Sequence, residues 1–304
     1  MKHMTTPLLS IILPSYNNGR VLPATIARIG RVCPRNTEVI VVVDGSRDGT
    51  LQILSRLRLR HPRVRVLART DRRGKGAAVR DGVLAARGHF ISLIDADMAI
   101  DPSYVTRGLR QLQQNPELNA VIGWRETYHT GALRAILHVI FRWVGFLLFR
   151  MPYHDTQAPM KVFRANVAKS VFRRLQTRSY VFDIEMLFRT MIRGNGVAEL
   201  PVVQRKTQSS LKWNLLLFSS IEMLRMYRTY IAHIVIRLLT HQKHSPFMDW
   251  FTLRHLLFWP LSWPLLWILQ FFYLFVKQPM PIRNARLPSY PHTKPMLAFV
   301  HRTA

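Results

Sequence analysis

The feature that most constrains the fold is Glu38–Val43, a run of mostly β-branched residues in which apolar and polar positions do not alternate. A strand with one face in water alternates, so this run predicts a strand covered on both faces, as in a parallel sheet. Similar apolar runs at 8–13, 64–68 and 89–94 are separated by segments with helical spacing. This order predicts an α/β fold, with a Rossmann-like, mostly parallel sheet and helices on both faces.

Polar loops follow these predicted strands. The first strand leads into Pro14-Ser-Tyr-Asn-Asn-Gly19, the second into Asp44-Gly-Ser-Arg-Asp-Gly-Thr50, and the fourth into Asp95-Ala-Asp97. Open α/β sheets bind their ligands at the carboxyl ends of the strands, and parallel strands bring those ends to one edge. The three loops are therefore expected to form one site.

Asp95 and Asp97 are one residue apart at the end of the fourth strand. An extended chain would point both side chains to the same side. Two carboxylates so placed repel each other unless a cation lies near them, and hard oxygen ligands suit Mg²⁺ or Mn²⁺. The alternative is purely structural, a strand followed by a helix that opens at Asp101-Pro102.

A lysine flanked by glycines, Gly74-Lys-Gly76, lies where the third helix is predicted to begin. Backbone N–H groups, the helix dipole and the ammonium group together favour a bound anion. The segment is not a Walker A loop, because the Gly-x4-Gly-Lys-Ser/Thr spacing is absent. An ordinary loop is the alternative.

The charge of the chain calls for an anionic partner, since 44 Lys and Arg face 16 Asp and Glu, giving a net charge of +28. Hydrophobic residues make up 48% of the chain, and no aromatic-and-basic stacking motif is present. We therefore expect an anionic phospholipid membrane as a partner and no nucleic acid, with a basic nucleic-acid-binding protein as a distant alternative. The single Cys33 and the lack of an apolar signal-peptide core near the N-terminus predict a cytoplasmic catalytic domain.

Two segments are basic and amphipathic. In 131–150 the cations Arg134, His138, Arg142 and Arg150 fall on one side of a helix and apolar residues on the other, and 213–245 has a similar pattern. This predicts helices that lie in a membrane interface. A core helix with a solvated basic face is the alternative for 131–150.

The segment 246–278 is strongly apolar and contains an uncharged stretch, 256–276, close to the ~20 residues of a spanning helix. Pro260 and Pro264 would kink or break such a helix. The segment is predicted to be embedded in the membrane, as a kinked span, a re-entrant segment or an in-plane hairpin, with a buried helix of a soluble protein as the alternative. A basic tail, 279–304, follows.

Four motifs, in their order and spacing, resemble the inverting glycosyltransferases of family 2, whose fold is called GT-A. They are Leu13-Pro-Ser-Tyr-Asn17, Val43-Asp-Gly-Ser-Arg-Asp-Gly-Thr50, Arg73-Gly-Lys-Gly-Ala-Ala-Val-Arg-Asp-Gly82 and Asp95-Ala-Asp97. Two later motifs, His154-Asp-Thr-Gln157 and Tyr180-Val-Phe-Asp-Ile-Glu-Met-Leu187, resemble the subgroup that glycosylates polyprenyl phosphates, especially the dolichyl-phosphate glucose type. The resemblance covers about 8–239, and we expect a catalytic domain at 1–212.

The resemblance implies a nucleotide-sugar donor and a divalent cation, Mg²⁺ or Mn²⁺. Asp44 would accept a hydrogen bond from a ring N–H of the base, Lys75 would hold the diphosphate, Asp95 would lie near the ribose, and Asp97 would hold the cation with Asp95 as a second contact. The full set of expected donor contacts is Pro14, Tyr16, Asn17, Asp44, Ser46, Lys75 and Asp95.

The acceptor of this subgroup, a polyprenyl phosphate, is already anionic at pH 7 and needs no general base. It needs positive charge to overcome repulsion from the donor diphosphate. Arg125 and Arg134 are the candidates for binding the acceptor phosphate, with Lys212 on a mobile loop as a third. Together with Asp97 and Asp155, the two arginines form the expected catalytic set.

Three acids of the second half have open roles. Asp155 is expected either to orient the acceptor or the arginines, or to be a structural acid paired with Arg164 or Lys161. Asp183 and Glu185 cannot share a helical face at their spacing, so at most one is expected to point into the site.

The predicted function is transfer of a hexose, with inversion, from a nucleotide sugar to a polyprenyl phosphate at the cytoplasmic face of a membrane. UDP-glucose is the favoured donor. The alternatives are a GDP-mannose-dependent polyprenyl-phosphate mannosyltransferase and a family 2 enzyme that uses a hydroxyl acceptor in polysaccharide synthesis. Homo-oligomerisation is left open.

Overall fold

A computed structural model describes residues 6–125, 149, 151–157, 159–205 and 226. The segments predicted to meet the membrane, 131–150, 213–245, 246–278 and 279–304, lie outside the described residues except for Phe149 and Met226. In the part of the chain that is described, no helix is long and apolar enough to cross a membrane.

In the described part of the chain, seven strands form one sheet in the order β3-β2-β1-β4-β6-β5-β7. β6 runs antiparallel to both of its neighbours, and every other pairing in the sheet is parallel. The mostly parallel sheet predicted from the sequence is thus confirmed. The strands are β1 Leu9–Ser15, β2 Thr37–Asp44, β3 Val64–Arg69, β4 Phe90–Ile94, β5 Leu118–Arg125, β6 Met160–Arg164 and β7 Gly196–Val202.

Helices cover both faces of this sheet. On one face, Ile26, Leu54 and Leu109 join the core formed by alternate residues of the strands. On the other face, the third helix packs so closely that a side chain at Gly82 would collide with Ile12. The helices are α1 Leu22–Val32, α2 Thr50–Arg60, α3 Lys75–Ala85, α4 Ser103–Gln114, α5 Ala165–Arg173 and α6 Phe182–Met191.

β1 differs from the prediction, because it continues through Pro14 to Ser15 instead of ending before the proline. Pro14 pairs with Val42 of β2, whereas the pairing of β1 with β4 ends at Ile12. A proline has no N–H to donate, and it is tolerated here because β1 has a partner on one side only at this point.

The strand order places a topological switch between β1 and β4. The chain moves from β1 outward through β2 to β3, and then returns to place β4 on the other side of β1. Ligands of open α/β sheets bind in the crevice at such a switch, outside the carboxyl ends of the strands. The loops after β1, β2 and β4 meet this crevice.

Candidate active site

The loops after β1 and β2 are hydrogen-bonded to each other. The Asn17 N–H donates to Ser46 Oγ at 3.0 Å, and Asn17 Oδ1 accepts from the Arg47 N–H at 2.9 Å. Asn17 has a φ of 53°, a left-handed conformation that asparagine adopts more readily than most residues. The structure therefore brings two of the predicted donor loops into one rim, with Pro14 leading into it.

Tyr16 lies in this rim with part of its side chain exposed. The Arg72 guanidinium lies over its ring, 4.0 Å from the centroid, in a cation–π contact. An exposed aromatic face can stack on a planar base. The assignment of Tyr16 to the base stays a prediction, and Arg72 is a neighbour that the sequence did not indicate.

Asp44, at the end of β2, is buried and holds the loop that precedes α3. Its two carboxylate oxygens accept from the Arg73 N–H at 2.9 Å and the Gly74 N–H at 2.8 Å, and Arg69 Nη1 lies 3.6 Å away. A carboxylate has about four lone-pair sites, so Asp44 can still accept a bond from a base. That contact stays a prediction, while the loop-holding role is observed.

Lys75 joins this loop to the end of β4. Its Nζ lies 2.6 Å from Asp95 Oδ1. Burial works to lower the pKa of Lys75, but the charges of Asp95 and Asp183 outweigh it and hold the pKa above its usual range. The group therefore keeps its positive charge, as binding of a diphosphate requires.

The Asp95-Ala-Asp97 segment is a turn, so the predicted extended conformation is wrong here. β4 ends at Ile94, Asp97 Oδ1 accepts the Ala99 N–H at 3.0 Å, and Met98 has a φ of 54°. The turn places the two carboxylates in different surroundings: Asp95 binds Lys75, and Asp97 is exposed.

Within the described ranges, no three His, Cys, Asp or Glu side chains converge closely enough to hold a metal ion. The pair Asp95 and Asp97 nevertheless suits one. Although Asp97 is exposed as a residue, desolvation of its carboxyl group, together with the charge of Asp95, raises its pKa. A cation would relieve that repulsion, with remaining oxygen ligands from a diphosphate and water.

Arg125 and Asp155 form a buried bidentate ion pair at the same edge of the sheet. Nε and Nη2 of Arg125 donate to the two oxygens of Asp155 at 2.5 and 2.9 Å, and Nη1 donates to Gln204 Oε1 at 3.3 Å. Burial alone would raise the pKa of Asp155, but the bonds and charge of Arg125 outweigh it and hold the pKa below its usual range. Asp155 therefore orients an arginine, one of the two roles predicted for it.

Of the two alternative partners predicted for Asp155, Arg164 is wrong, whereas the charge of Lys161 does help to lower the pKa of Asp155. Arg164 donates to the carbonyl oxygens of Leu112 and Leu118, and Lys161 Nζ lies 2.7 Å from Asp183 Oδ1. Lys161, on β6, thus pairs with Asp183 in the first turn of α6.

Asp183 and Glu185 bind different partners, as their spacing predicts. Asp183 pairs with Lys161, whereas Glu185 accepts from the N–H groups of Gln176 and Thr177 and pairs with Arg189 at 2.6 Å. Glu185 thus fixes the chain just before α6. Sequence reasoning missed the Lys161–Asp183 pair, for which the signal was a lysine within the apolar strand Met160–Arg164.

Two candidates for the acceptor phosphate, Arg134 and Lys212, lie outside the described residues. Arg205, seven residues before Lys212 in the sequence, lies beside the Asp95-Ala-Asp97 turn, because its N–H donates to the Ala99 carbonyl at 2.8 Å. Arg125, the remaining candidate, is described, and its contacts include Asp155 and Gln204.

Comparison with known proteins identifies the family to which the chain belongs. The chain is 30% identical to a dolichyl-phosphate beta-glucosyltransferase of Trichomonas vaginalis, with 64% of this chain and 62% of that protein covered. It is 34% identical to the dolichyl-phosphate beta-glucosyltransferase of Drosophila melanogaster, with 59% of this chain and 61% of that protein covered. It is 30% identical to the human enzyme of the same name, with 65% of this chain and 67% of that protein covered. The chain thus spans less than two thirds of the length of the first two relatives.

Solved structures show the same fold. Glucosyl-3-phosphoglycerate synthase from Mycobacterium tuberculosis, crystallised with Mn²⁺, UDP and glucosyl-3-phosphoglycerate, superposes with a TM-score of 0.59 at 18% identity, with 73% of this chain and 80% of that chain covered. Residues 10–172, more than half of the chain, match the sequence model of glycosyl transferase family 2. The chain therefore belongs to glycosyl transferase family 2 and is similar to dolichyl-phosphate beta-glucosyltransferases.

Proposed function

We propose that this protein transfers a hexose, with inversion, from a nucleotide sugar to a polyprenyl phosphate at the cytoplasmic face of a membrane. UDP-glucose is the favoured donor. Family membership and the likeness to three dolichyl-phosphate beta-glucosyltransferases support this proposal. A net charge of +28 suits a site at which an anionic lipid meets an anionic nucleotide.

The donor would bind across the switch point between β1 and β4. Tyr16 would lie against the base, Asp44 would accept its ring N–H, and Lys75 would bind the diphosphate. Mg²⁺ or Mn²⁺, held by Asp97 with Asp95 beside it, would neutralise charge on the departing diphosphate. The structural neighbour crystallised with Mn²⁺ and UDP-glucose supports the choice of cation and of donor class.

The observation that carries the choice of acceptor concerns the buried acids of the second half. Asp155 is paired with Arg125, Asp183 with Lys161, and Glu185 with Arg189. A hydroxyl acceptor requires a general base that is free to take a proton. A carboxylate that neutralises a buried cation is a poor base, whereas a phosphate acceptor attacks without one. The pairing therefore favours polyprenyl phosphate over a hydroxyl.

On the acceptor side, positive charge is the requirement. Arg125, Arg134 and Lys212 are the proposed cations, and Asp155 would keep the Arg125 guanidinium in one orientation. A planar guanidinium binds two oxygens of a phosphate at once, which a lysine cannot do. The described atoms of Arg125 bind protein groups, so it would act on the acceptor by exchanging its bond to Gln204 or through the charge it retains.

The test is transfer by the purified full-length chain in detergent or liposomes. Radiolabelled UDP-glucose or GDP-mannose is supplied with Mg²⁺ or Mn²⁺ and polyprenyl phosphate, and lipid-linked sugar is extracted and counted. We expect product with UDP-glucose, none with EDTA, and a loss of product in Asp97→Ala. No product from either donor, or undiminished product from Asp97→Ala, would contradict the proposal.

A further inference from the structure

Tyr180, in the loop before α6, is a large aromatic side chain that has no role in the chemistry described above. Its side chain is 41% exposed, although its two neighbours in the chain, Ser179 and Val181, are buried. A single exposed aromatic ring needs no explanation by itself, because isolated apolar side chains are common on protein surfaces. What this ring can do is therefore decided by the groups that lie beside it.

The Tyr180 ring lies beside the proposed diphosphate site. The Lys75 Nζ is 5.4 Å from the centroid of the ring, within the ~6 Å range of a cation–π contact. The same Nζ is 2.6 Å from Asp95 Oδ1, at the end of β4. Lys75 therefore contacts both the end of β4 and the loop that carries Tyr180, so a diphosphate bound to this lysine would lie next to the exposed ring.

Backbone packing holds the loop that carries Tyr180 against the start of α3. The Gly76 N–H donates to the Arg178 carbonyl at 2.8 Å. Gly74, on the other side of Lys75, has a φ of 101°, and a side chain there would collide with the same carbonyl. Glycine permits this close approach on both sides of the lysine. The backbone thus sets the distance between Tyr180 and Lys75, as a preorganised ligand contact requires.

The start of α6 is fixed over β6, the strand next to β4. Asp183, three residues after Tyr180, lies 2.7 Å from Lys161 Nζ. Lys161 is paired with Leu93 in the register of β4 and β6, two residues before Asp95. The chain therefore enters α6 on the β6 side of β4. The loops with the proposed base contacts follow β1 and β2, on the other side of β4.

A nucleotide sugar has its base and its hexose at opposite ends of the diphosphate. With the base at the loops after β1 and β2 and the diphosphate at Lys75, the hexose comes next on the β6 side. We propose that the exposed face of Tyr180 binds the hexose of the donor. A pyranose has C–H groups on its faces and hydroxyl groups at its rim, and an aromatic face with a polar tip is complementary to both. The inference rests on the proposed function and adds to it a contact with the transferred sugar.

A competing role for the ring is to hold the Lys75 ammonium through the cation–π contact alone. The two roles differ in the ligands that they affect. Loss of a support for Lys75 weakens every ligand that carries a diphosphate, whereas loss of a hexose contact weakens only a ligand that carries the sugar. Binding measurements can therefore separate them.

UDP-glucose and UDP are the probes, because only UDP-glucose carries the hexose. Their affinities for the full chain are measured by calorimetry with Mn²⁺ and without an acceptor. We expect Tyr180→Ala to weaken UDP-glucose by about tenfold, the size typical of losing one stacked aromatic ring, and to leave UDP within about twofold. Tyr180→Phe keeps the aromatic face and should bind UDP-glucose nearly as well as the wild type.

Tyr16→Ala is the matched control, because Tyr16 is similarly exposed, at 37%, and also has a cation, Arg72, over its ring. Tyr16 is assigned to the base, so its loss should weaken UDP and UDP-glucose by the same factor. If Tyr180→Ala weakens neither ligand, or weakens both equally, the inference is overturned and the proposed function still stands. If the wild-type chain binds neither ligand, the proposed function is overturned together with the inference.

Discussion

Lys75 Nζ lies 2.6 Å from Asp95 Oδ1, so the ammonium group at the start of α3 neutralises one of the two acids that follow β4. Asp97, the other acid, is exposed and accepts the Ala99 N–H. The two acids look equivalent in the sequence, but the turn between them gives them different partners. This difference leads to distinct expectations for their substitution.

Asp97→Asn is expected to abolish the increase in UDP affinity that Mn²⁺ produces, because the proposed ligand loses its charge. Asp95→Asn should retain part of that increase and weaken UDP also in EDTA, since Lys75 loses its partner. Titration of UDP with and without Mn²⁺ measures both. An unchanged Mn²⁺ effect in Asp97→Asn would show that the cation is held elsewhere.

The buried Arg125–Asp155 pair is predicted to matter for stability as well as for the acceptor. Asp155→Asn leaves a buried guanidinium without its counter-charge, a change that typically costs ~3–5 kcal/mol. Urea unfolding of the variant should show that loss, and the double variant Arg125→Met with Asp155→Leu should recover most of it. If the double variant regains stability but not hexose transfer, the pair has a role in the reaction as well as in stability. If the double variant transfers hexose at the wild-type rate, Arg125 is not part of the catalytic set.

Stability at acid pH is expected to depend on Glu38. Burial works to raise the pKa of Glu38, but the Ser10 hydroxyl, the Arg87 N–H and Arg65 outweigh it and hold the pKa below its usual range. A carboxyl with a lowered pKa in the folded state stabilises above its unfolded value of ~4.3, and the effect is lost as the pH falls through the folded value. Glu38→Gln should therefore be less stable than wild type at pH 7, and this difference should shrink below about pH 4. A difference that stays constant with pH would contradict this.

Gly76 and Gly30 provide a matched pair for the packing of the Lys75 loop. A Cβ on Gly76 would lie 2.8 Å from the Thr177 carbonyl oxygen, whereas one on Gly30 would meet nothing within 4 Å. Gly76→Ala should destabilise by ~1–3 kcal/mol and weaken UDP, because α3 must move away from the segment before α6. Gly30→Ala, inside α1, should stabilise by about 1 kcal/mol. Equal melting temperatures for the two variants would contradict this account.

Much of the fold could be predicted from local patterns. Apolar runs without alternation mark buried strands, and β2 was predicted at 38–43 and found at Thr37–Asp44. The reversed direction of β6 could not be predicted, since the direction of a strand depends on the connection before it. The position of Pro14 inside β1 could not be predicted either. A strand tolerates this proline because β4 does not pair with β1 beyond Ile12, and that depends on how the sheet is assembled.

The loops that form the candidate site could be predicted from the sequence, but most of the ion pairs within it could not. Strand-end loops carry their polar residues in a recognisable order, so Asn17, Asp44 and Lys75 could be expected at one edge. The partners of buried charges are decided by tertiary packing, and nothing near Lys161 in the sequence points to Asp183. The turn at Asp97 was also missed, because Met98 carries no signal for a positive φ.

The most direct test of the central claim compares two acceptors that differ only in their head group. Polyprenyl phosphate and the corresponding polyprenol are offered to the full-length chain at equal concentration, with labelled UDP-glucose and Mn²⁺. We predict labelled lipid from the phosphate and none from the alcohol, because Asp155, Asp183 and Glu185, the buried acids among the described residues of the acceptor half, are ion-paired and poorly suited to activate a hydroxyl. Transfer to the polyprenol at a comparable rate would contradict the account.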